Sequence, residues 1–185
     1  MKLVAATGNA HKLKEIREIM EGEILSQAEA GFFGEVEETG KTFLENALLK
    51  ARAVCKATGL AALADDSGLC VDALNGAPGV YSARYSGGGD RENRALLLKN
   101  MEGKTNRAAH FCCAVALVFP DGRELSAEGK TYGHVLYKEE GTGGFGYDSL
   151  FFSDDLQMSF ALAGEEQKNA VSHRGRALRA LKEKL

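Results

Sequence analysis

The sequence predicts an α/β fold in which a mixed sheet is flanked by helices. Helical and strand patterns alternate over the first half of the chain, as they do in sheets with crossover helices. Later, the turn sequence Pro120–Arg123 separates two apolar segments, which is typical of an antiparallel hairpin. The 185 residues, 44% hydrophobic and 26% charged, suit a single globular domain over 1–185, which could comprise two fused lobes.

The first elements alternate between strand and helix. Lys2–Thr7 is short and apolar, which predicts a strand, and His11–Glu21 carries apolar residues at helical spacing. Glu23–Ala28 is a candidate second strand, and Glu29–Lys41 has the Gly- and Glu-rich composition of a loop. A longer helix is predicted over Phe43–Thr58, because a Thr–Glu capping box precedes it and a glycine follows it.

The remaining elements are predicted from apolar runs and turn residues. We expect the sheet to be interrupted by the Asp-Asp-Ser-Gly sequence at positions 65–68. The predicted order is strand pieces Ala61–Asp66 and Leu69–Leu74, loop Asn75–Gly89, helix Arg91–Met101, strands His110–Phe119, Glu124–Val135 and Ser149–Ser153, and a helical tail from Glu165 with an interruption near Ser172–Gly175.

Composition and charge argue against several classes of protein. The net charge of −3 is unlike the basic excess of nucleic-acid-binding proteins. We expect no membrane span and no secretory signal, because the apolar runs are too short. The four cysteines have no C-x-x-C spacing and are predicted to be buried thiols of a cytoplasmic protein. The four scattered histidines do not suggest a zinc site.

Two neighbouring acids follow an apolar run at Asp65 and Asp66. Burying both without partners would cost several kcal/mol each, and in an extended chain they would point to opposite sides. A Mg²⁺ ion would remove the difficulty, because it binds one or two carboxylates and shares its remaining sites with phosphate. The alternative is a capped turn at the surface. Glu37 and Glu38 could add to a metal site or belong to a solvated loop.

Two glycine-containing segments suggest nucleotide binding. Thr7–Lys12 joins a strand to a helix, where backbone amides favour phosphate, although it lacks the P-loop spacing and could be a plain turn. Gly141–Gly146 matches G-x-G-x-x-G, but a strand follows it, which excludes the dinucleotide-binding interpretation. Its Phe145 could stack on a base; the alternative is a mobile surface loop.

The start of the last helix, Ser172–Gly175, offers a cap and two donors, His173 and Arg174. Basic residues at a helix N-terminus are unfavourable for the dipole, so an anionic or carbonyl partner is one interpretation and a solvated cap is the other. Together these segments predict a nucleoside triphosphate site. They offer acids for a metal, lysines for phosphates, an aromatic ring for a base and donors for an exocyclic oxygen.

Five segments resemble the non-canonical purine nucleoside triphosphate pyrophosphatases, the inosine triphosphate pyrophosphatase family. They are ATGNAHKLKEI, EETGKTFLENALLKAR, ALADDSGLCVDALNGAPGVYSARYSG, GTGGFGYDSLFF and SHRGRAL, and they occur in the family's order along nearly the whole chain. The resemblance implies a long, twisted mixed sheet flanked by helices, two lobes with a central cleft, and a homodimer. It also implies Mg²⁺-dependent hydrolysis of ITP, dITP and XTP to the monophosphate and pyrophosphate.

The resemblance also implies roles for individual residues. Asp66 would be the proton acceptor, and Glu38 and Asp66 would bind Mg²⁺ with Asp65 nearby. The implied substrate-binding residues are Thr7, Gly8, Asn9, Ala10, His11, Lys12 and Lys50 for the triphosphate, Ser67, then Phe145, Gly146, Tyr147 and Asp148 for base and ribose, and Lys168, His173 and Arg174 for the base pocket. No role is predicted for Tyr81, Arg84 and Tyr85 beyond lining the cleft or a dimer contact.

Two other functions are compatible with these segments. A nucleotide-binding sensor without catalysis would need the glycine loops and lysines but no acid cluster, so Glu38, Asp65 and Asp66 favour an enzyme. A pyrophosphatase for modified pyrimidine nucleotides would need the same phosphate and metal residues, and only its substrates would distinguish it.

Overall fold

The computed structural model describes all 185 residues, and it confirms a mixed α/β fold. Five helices are α1 (Ala10–Ile19), α2 (Phe43–Thr58), α3 (Asp90–Asn100), α4 (Glu165–Val171) and α5 (His173–Lys182). Seven strands are β1 (Lys2–Ala5), β2 (Glu23–Ser26), β3 (Ala61–Val71), β4 (Ala108–Val118), β5 (Glu124–Val135), β6 (Phe151–Ser153) and β7 (Met158–Ser159). Short 3₁₀ turns occupy Asp72–Leu74, Gly79–Arg84 and Asp148–Leu150.

The seven strands form one sheet in the order β2-β1-β3-β4-β5-β6-β7. β1 pairs in parallel with both β2 and β3, whereas β6 pairs antiparallel with β5 and β7. The sheet is therefore mixed, as the alternating first half and the later hairpin predict. None of the five helices combines the length and the apolar character needed to cross a membrane.

The chain divides into two compact units. The first unit comprises Met1–Asp66, Cys113–Gly129 and Arg174–Leu185, and the second comprises Ser67–Cys112 and Lys130–His173. The boundaries fall within β3, β4 and β5 and at the start of α5. Each unit contains its own buried apolar cluster, so each is described by itself.

The core of the first unit follows the period-two alternation of its strands. Leu3 and Leu63 pack with Ile16 of α1 and Leu178 of α5 on one face of the sheet. The neighbouring residues of the same strands, including Val4, pack with α2 on the other face. Successive side chains of a strand point to opposite faces, so helices α1 and α5 are separated from α2 by the sheet.

The core of the second unit is aromatic. Phe151 is fully buried, and its ring centroid lies 4.6 Å from that of Phe111 and 5.1 Å from that of Phe160. Leu97 and Met101 of α3 belong to the same cluster. This packing attaches α3 to the strands of the second unit.

The expected interruption at Asp-Asp-Ser-Gly is wrong, because β3 runs without a break from Ala61 to Val71. The acids stay in the strand since each finds a partner within the fold. Helix α2 has the predicted bounds, and Thr42 caps it by accepting from the Glu45 amide at 3.1 Å. Glu45, however, accepts from the Lys41 amide rather than completing the capping box on Thr42.

Several other boundaries differ from the prediction by a few residues. The segment predicted as a loop, Asn75–Gly89, contains the 3₁₀ turn Gly79–Arg84. The segment predicted as a strand, Ser149–Ser153, begins within a 3₁₀ turn and becomes a strand only at Phe151. The interrupted tail is confirmed as two helices that meet at Ser172.

Removing the ring of Phe151 should destabilise the protein. We expect Phe151→Ala to lower the free energy of unfolding by about 4 kcal/mol, because a buried phenylalanine loses its aromatic neighbours and leaves a cavity. Phe33→Ala is the matched control, since Phe33 is 81% exposed and its loss should change stability by less than about 0.5 kcal/mol. Urea unfolding measures both, and equal effects would contradict this description of the core.

Candidate functional site

The two neighbouring acids lie on opposite faces of β3. Asp65 continues the face of Leu63, towards α1 and α5, whereas Asp66 continues the face that packs against α2. This arrangement follows from strand alternation and places the two carboxylates in different surroundings within the first unit.

Asp65 is buried at 1% exposure among cations. Its Oδ2 accepts from Arg174 Nε at 3.0 Å and lies 3.2 Å from Lys12 Nζ. The other side of the Arg174 guanidinium is paired with Glu15 of α1. Charges therefore alternate along a buried chain from Glu15 through Arg174 and Asp65 to Lys12.

The pKa values of this chain follow from its pairing. Burial alone would raise the pKa of Asp65, but Lys12, Arg174 and Lys50 together hold it well below the ordinary value. Burial alone would lower the pKa of Arg174, but Asp65 and Glu15 raise it. Asp65 is thus ionised and its charge is already balanced by protein cations.

Asp66 has a less balanced environment. Burial raises its pKa from 3.8 to about 6 and Glu38 adds to the shift, although Lys50 and a hydrogen bond from Asn46 partly oppose it. Asn46 Nδ2 donates to Asp66 Oδ2 at 3.0 Å, and Asn46 Oδ1 accepts from the Gly40 amide at 2.7 Å. Asn46 therefore joins Asp66 to the loop that carries Glu38.

Lys50 completes this group of residues. Its Nζ donates to the backbone carbonyl of Asp65 at 2.6 Å and lies 3.1 Å from Glu38 Oε1. Burial alone would lower the pKa of Lys50, but Asp65, Glu38 and Asp66 raise it, so the ammonium stays charged. We call Lys12, Glu38, Lys50, Asp65 and Asp66 the acid–lysine cluster.

The residues implied as metal ligands suit a magnesium ion that is shared with a phosphate. Glu38 and Asp66 supply carboxylate oxygens, and the raised pKa of Asp66 indicates a site where a cation would be favourable. No group of three or more His, Cys, Asp or Glu side chains forms a complete metal cage. Mg²⁺ usually needs only one or two carboxylates when a polyphosphate supplies further oxygens.

The segment Thr7–Lys12 forms a strand-to-helix turn, as predicted. Asn9 caps α1, because its Oδ1 accepts from the amides of His11 at 2.9 Å and Lys12 at 3.3 Å. The turn lines a cavity of about 320 Å³ together with Ser26, Gln27 and two phenylalanines, Phe32 and Phe33. The first amides of the helix are thus used by its own cap, and Lys12 supplies the ammonium group near Asp65.

Apart from Arg174, which belongs to the first unit, the predicted base-binding residues lie in the second unit. Asp148 and Lys168 are buried and form an ion pair, with Oδ2 2.7 Å from Nζ. The same Asp148 oxygen accepts from the Phe145 amide at 3.0 Å. Lys168 Nζ lies 4.8 Å from the centre of the Phe145 ring, within range of a cation–π interaction. Phe145, Asp148 and Lys168 are therefore brought together.

Gly144 is required by this arrangement. Its φ is 68°, and a Cβ at this position would lie 2.2 Å from Asp148 Oδ2. An L side chain could fit only if the Asp148 carboxylate moved away from the Phe145 amide. The glycine-rich composition of the loop therefore has a steric cause.

The remaining predicted residues are placed differently. Tyr147 is buried and its hydroxyl donates to the Ser82 carbonyl at 2.7 Å, and burial raises its pKa. His173 is buried and stacks on Phe111 at 4.7 Å between ring centroids. Ser67 is half-buried within β3. The predicted contacts of Tyr147, His173, Ser67 and Arg174 with a substrate stay predictions.

Sequence reasoning missed five residues that hold these groups. Glu15 and Asn46 are buried polar residues on helices, and their signal in the sequence is a polar residue close to an apolar helix face. Asp90, Arg94 and Glu139 contact the glycine loop or its flanks in the second unit. They had no signal, because charged residues at such positions usually face solvent.

Removing the charge of Asp65 should destabilise the fold. We expect Asp65→Asn to lower the free energy of unfolding by about 3 kcal/mol at pH 7, because the buried Arg174 loses a charged partner. The native pKa is depressed, so this contribution should diminish as the pH falls below about 4. Asp154→Asn changes an exposed aspartate and is the matched control. Equal stability of the two variants in urea unfolding would refute the pairing.

Asp66 should have the opposite pH dependence in metal-free buffer. Its native pKa of about 6 exceeds the ordinary 3.8, so between these values the unfolded chain has released a proton that the native protein retains. The stability of the wild type should therefore fall as the pH rises from about 4 to about 6, relative to Asp66→Asn, by about 1–3 kcal/mol. Parallel curves for the two proteins, measured by urea unfolding with EDTA, would contradict the shifted pKa.

Comparison with known proteins relates these residues to a family. The family model described as the Ham1 family matches residues 3–184. The dITP/XTP pyrophosphatase of Geobacter sulfurreducens is 51% identical, with 100% of this chain and 96% of that protein covered. The enzyme of the same name from Streptomyces coelicolor is 48% identical, with 97% and 94% covered.

Solved structures give the same relationship. The Ham1 protein of Staphylococcus aureus superposes with a TM-score of 0.89 at 38% identity, with 99% of this chain and 97% of that chain covered. A HAM1 protein from Coxiella burnetii also has a TM-score of 0.89, at 40% identity and the same coverage. The resemblance found in the five sequence segments is thereby confirmed, and the chain belongs to the Ham1 family.

Proposed function

We propose that this protein hydrolyses the non-canonical purine nucleoside triphosphates ITP, dITP and XTP to the monophosphate and pyrophosphate. Such a reaction would remove these nucleotides from the precursor pool of nucleic-acid synthesis. Its relatives named dITP/XTP pyrophosphatase support the substrate class. The acid–lysine cluster carries the proposal, because it combines a charge-balanced aspartate with a second aspartate suited to a metal or a proton.

The first unit would bind the triphosphate and the metal. We assign the triphosphate to Lys12, Lys50 and the turn over Thr7–His11, and Mg²⁺ to Glu38 and Asp66. The bound Mg²⁺ would offset the negative charge of the phosphate oxygens. Lys12 and Lys50 already lie beside the carboxylates, so their ammonium groups can meet the charge that develops on departing pyrophosphate.

Asp66 would act as the proton acceptor. A water held by its carboxylate attacks the α-phosphorus, the bond from the α-phosphorus to the bridging oxygen breaks, and pyrophosphate leaves. The pKa of about 6 belongs to the metal-free carboxylate; bound Mg²⁺ would lower it and keep Asp66 ionised, which is the form that accepts a proton. The hydrogen bond from Asn46 would orient the carboxylate without adding a charge.

The second unit would bind the base and ribose. We assign stacking to Phe145, donation to the oxygen at position 6 of the base to His173 or a backbone N–H, and further contacts to Lys168, Ser67 and Gly146–Asp148. Arg174, which belongs to the first unit and pairs with Asp65 and Glu15, is the other proposed donor. Hypoxanthine and xanthine carry an acceptor at position 6, whereas adenine carries an amine that would face these donors. Unpaired buried polar groups can discriminate between substrates by orders of magnitude.

We further propose that the protein is a cytoplasmic homodimer in which residues 1–185 act as one catalytic domain. Four free cysteines, three of them buried, suit a reducing compartment. The dimer is suggested by the family resemblance alone.

One assay tests the reaction and the role of Asp66. Pyrophosphate and orthophosphate release from ITP would be measured with Mg²⁺ and with EDTA. We expect pyrophosphate only, a strong loss of rate in EDTA, and a fall of at least about a hundredfold in kcat for Asp66→Asn, because a general base is removed. Asp154→Asn, an exposed aspartate, is the matched control and should retain the wild-type rate.

The same assay separates the competing functions. ATP should be a poor substrate relative to ITP and XTP, and equal rates on ATP and ITP would refute the proposed base selection. Binding of ITP without any release would indicate a sensor, and preferred cleavage of a modified pyrimidine triphosphate would indicate the other pyrophosphatase. Near-normal turnover of a folded Asp66→Asn variant would exclude Asp66 as the proton acceptor.

A further inference from the structure

Helix α3 holds the glycine loop, Gly141–Gly146, through both peptide groups of one residue. Asp90, the first residue of the helix, accepts from the Gly146 amide, with 3.0 Å between Oδ2 and N. Arg94, one turn later, donates through Nη1 to the Gly146 carbonyl at 3.0 Å. Residues four apart lie on one side of a helix, so a single face of α3 holds the peptide groups before and after Gly146.

These contacts are made by Gly146, the residue that follows Phe145 in the chain. Gly146 has φ 60°, so the chain changes direction immediately after Phe145. The amide of Phe145 donates to Asp148, and the next amide along the chain donates to Asp90. The peptide groups on both sides of the Phe145 Cα are therefore bonded to carboxylates, which limits the directions that the ring can take.

Arg94 also joins α3 to the flanks of the glycine loop. Its Nε lies 2.5 Å from Glu139 Oε1, and the same carboxylate oxygen accepts from the Ser149 hydroxyl at 2.7 Å. Glu139 precedes the loop in the chain and Ser149 follows it. These three residues line a cavity of about 530 Å³ together with the glycine loop.

The helix itself is held firmly within the second unit. Asn93 is 2% exposed, and its Nδ2 donates to the Ala83 carbonyl at 3.1 Å while its Oδ1 accepts from the Ser86 amide at 2.8 Å. Leu97 packs in the aromatic core. Asp90 and Arg94 are thus presented from a fixed support, which is what precise placement of a binding group requires.

We propose that Asp90 and Arg94 are positioning residues for purine binding, because they fix the Phe145 ring in the orientation in which it stacks on the base. This inference rests on the proposed function. A ring that is already ordered loses less conformational freedom when the ligand binds. Loss of either contact should therefore weaken the binding of ligands that contain a base. The binding of pyrophosphate, which contains no base, should be unchanged.

The test compares Asp90→Ala and Arg94→Met with the wild type. We expect the KM for ITP to rise about tenfold with kcat nearly unchanged, the size expected for one hydrogen bond to a charged group. Inhibition by pyrophosphate should keep its wild-type constant. Asp90→Asn retains an acceptor oxygen and should recover most of the lost affinity. Lys99→Met, an exposed change on the same helix, is the matched control.

A double-mutant cycle decides whether these residues act through the ring. In a Phe145→Ala background, adding Asp90→Ala should change KM by less than about twofold, because no ring remains to be oriented. An unchanged KM in the single variants, a full tenfold effect without the ring, or an equal weakening of pyrophosphate would each overturn the inference. If the wild type neither cleaves ITP nor binds inosine monophosphate, the proposed function fails and this inference fails with it.

Discussion

A carboxylate buried within β3 determines the arrangement of the first unit. Asp65 has almost no access to water, and the free energy of burying an isolated charge there would exceed the net stability of the fold. It is tolerated because Arg174 and Lys12 approach from two helices, and Arg174 in turn needs Glu15. Three segments distant in sequence, α1, β3 and α5, are therefore joined by charge as well as by apolar packing. Lys12 is held beside the strand by the same interaction that makes burial of Asp65 acceptable.

The pairing of Asp65 gives its neighbour a different chemistry. The carboxylate of Asp65 is paired with protein cations through its Oδ2 and stays ionised. Asp66 instead accepts a hydrogen bond from a neutral amide, and the nearby Lys50 is ion-paired with Glu38. Two acids whose environments separate their pKa values commonly have separate roles in catalysis. Adjacent residues of identical type thus acquire different environments, and the difference comes from which helix packs against each face of the sheet.

Local signals in the sequence predicted local structure well, but they did not predict ion pairs between residues that are distant in the sequence. Both ends of α2 were predictable because Thr42 and Gly59 act on neighbouring backbone groups. The continuity of β3 was not predictable, because the partner of Asp65 is Arg174, which lies 109 residues away in the sequence. No residue near Asp65 indicates this pairing. The glycine loop could be found from its composition and its one aromatic residue. Its support by α3 could not, because Asp90 and Arg94 have the pattern of an ordinary solvated helix.

The alternation of faces along β3 has a consequence for how the chain can change in length. Inserting or deleting one residue between Ala61 and Asp65 would shift the register of the strand and turn every later side chain to the opposite face. Asp65 would then face Asn46, and Asp66 would face Arg174. Each aspartate would meet the surroundings that now belong to the other. The number of residues in this strand is therefore as constrained as the identity of its two acids. Loops elsewhere can lengthen without exchanging the surroundings of Asp65 and Asp66.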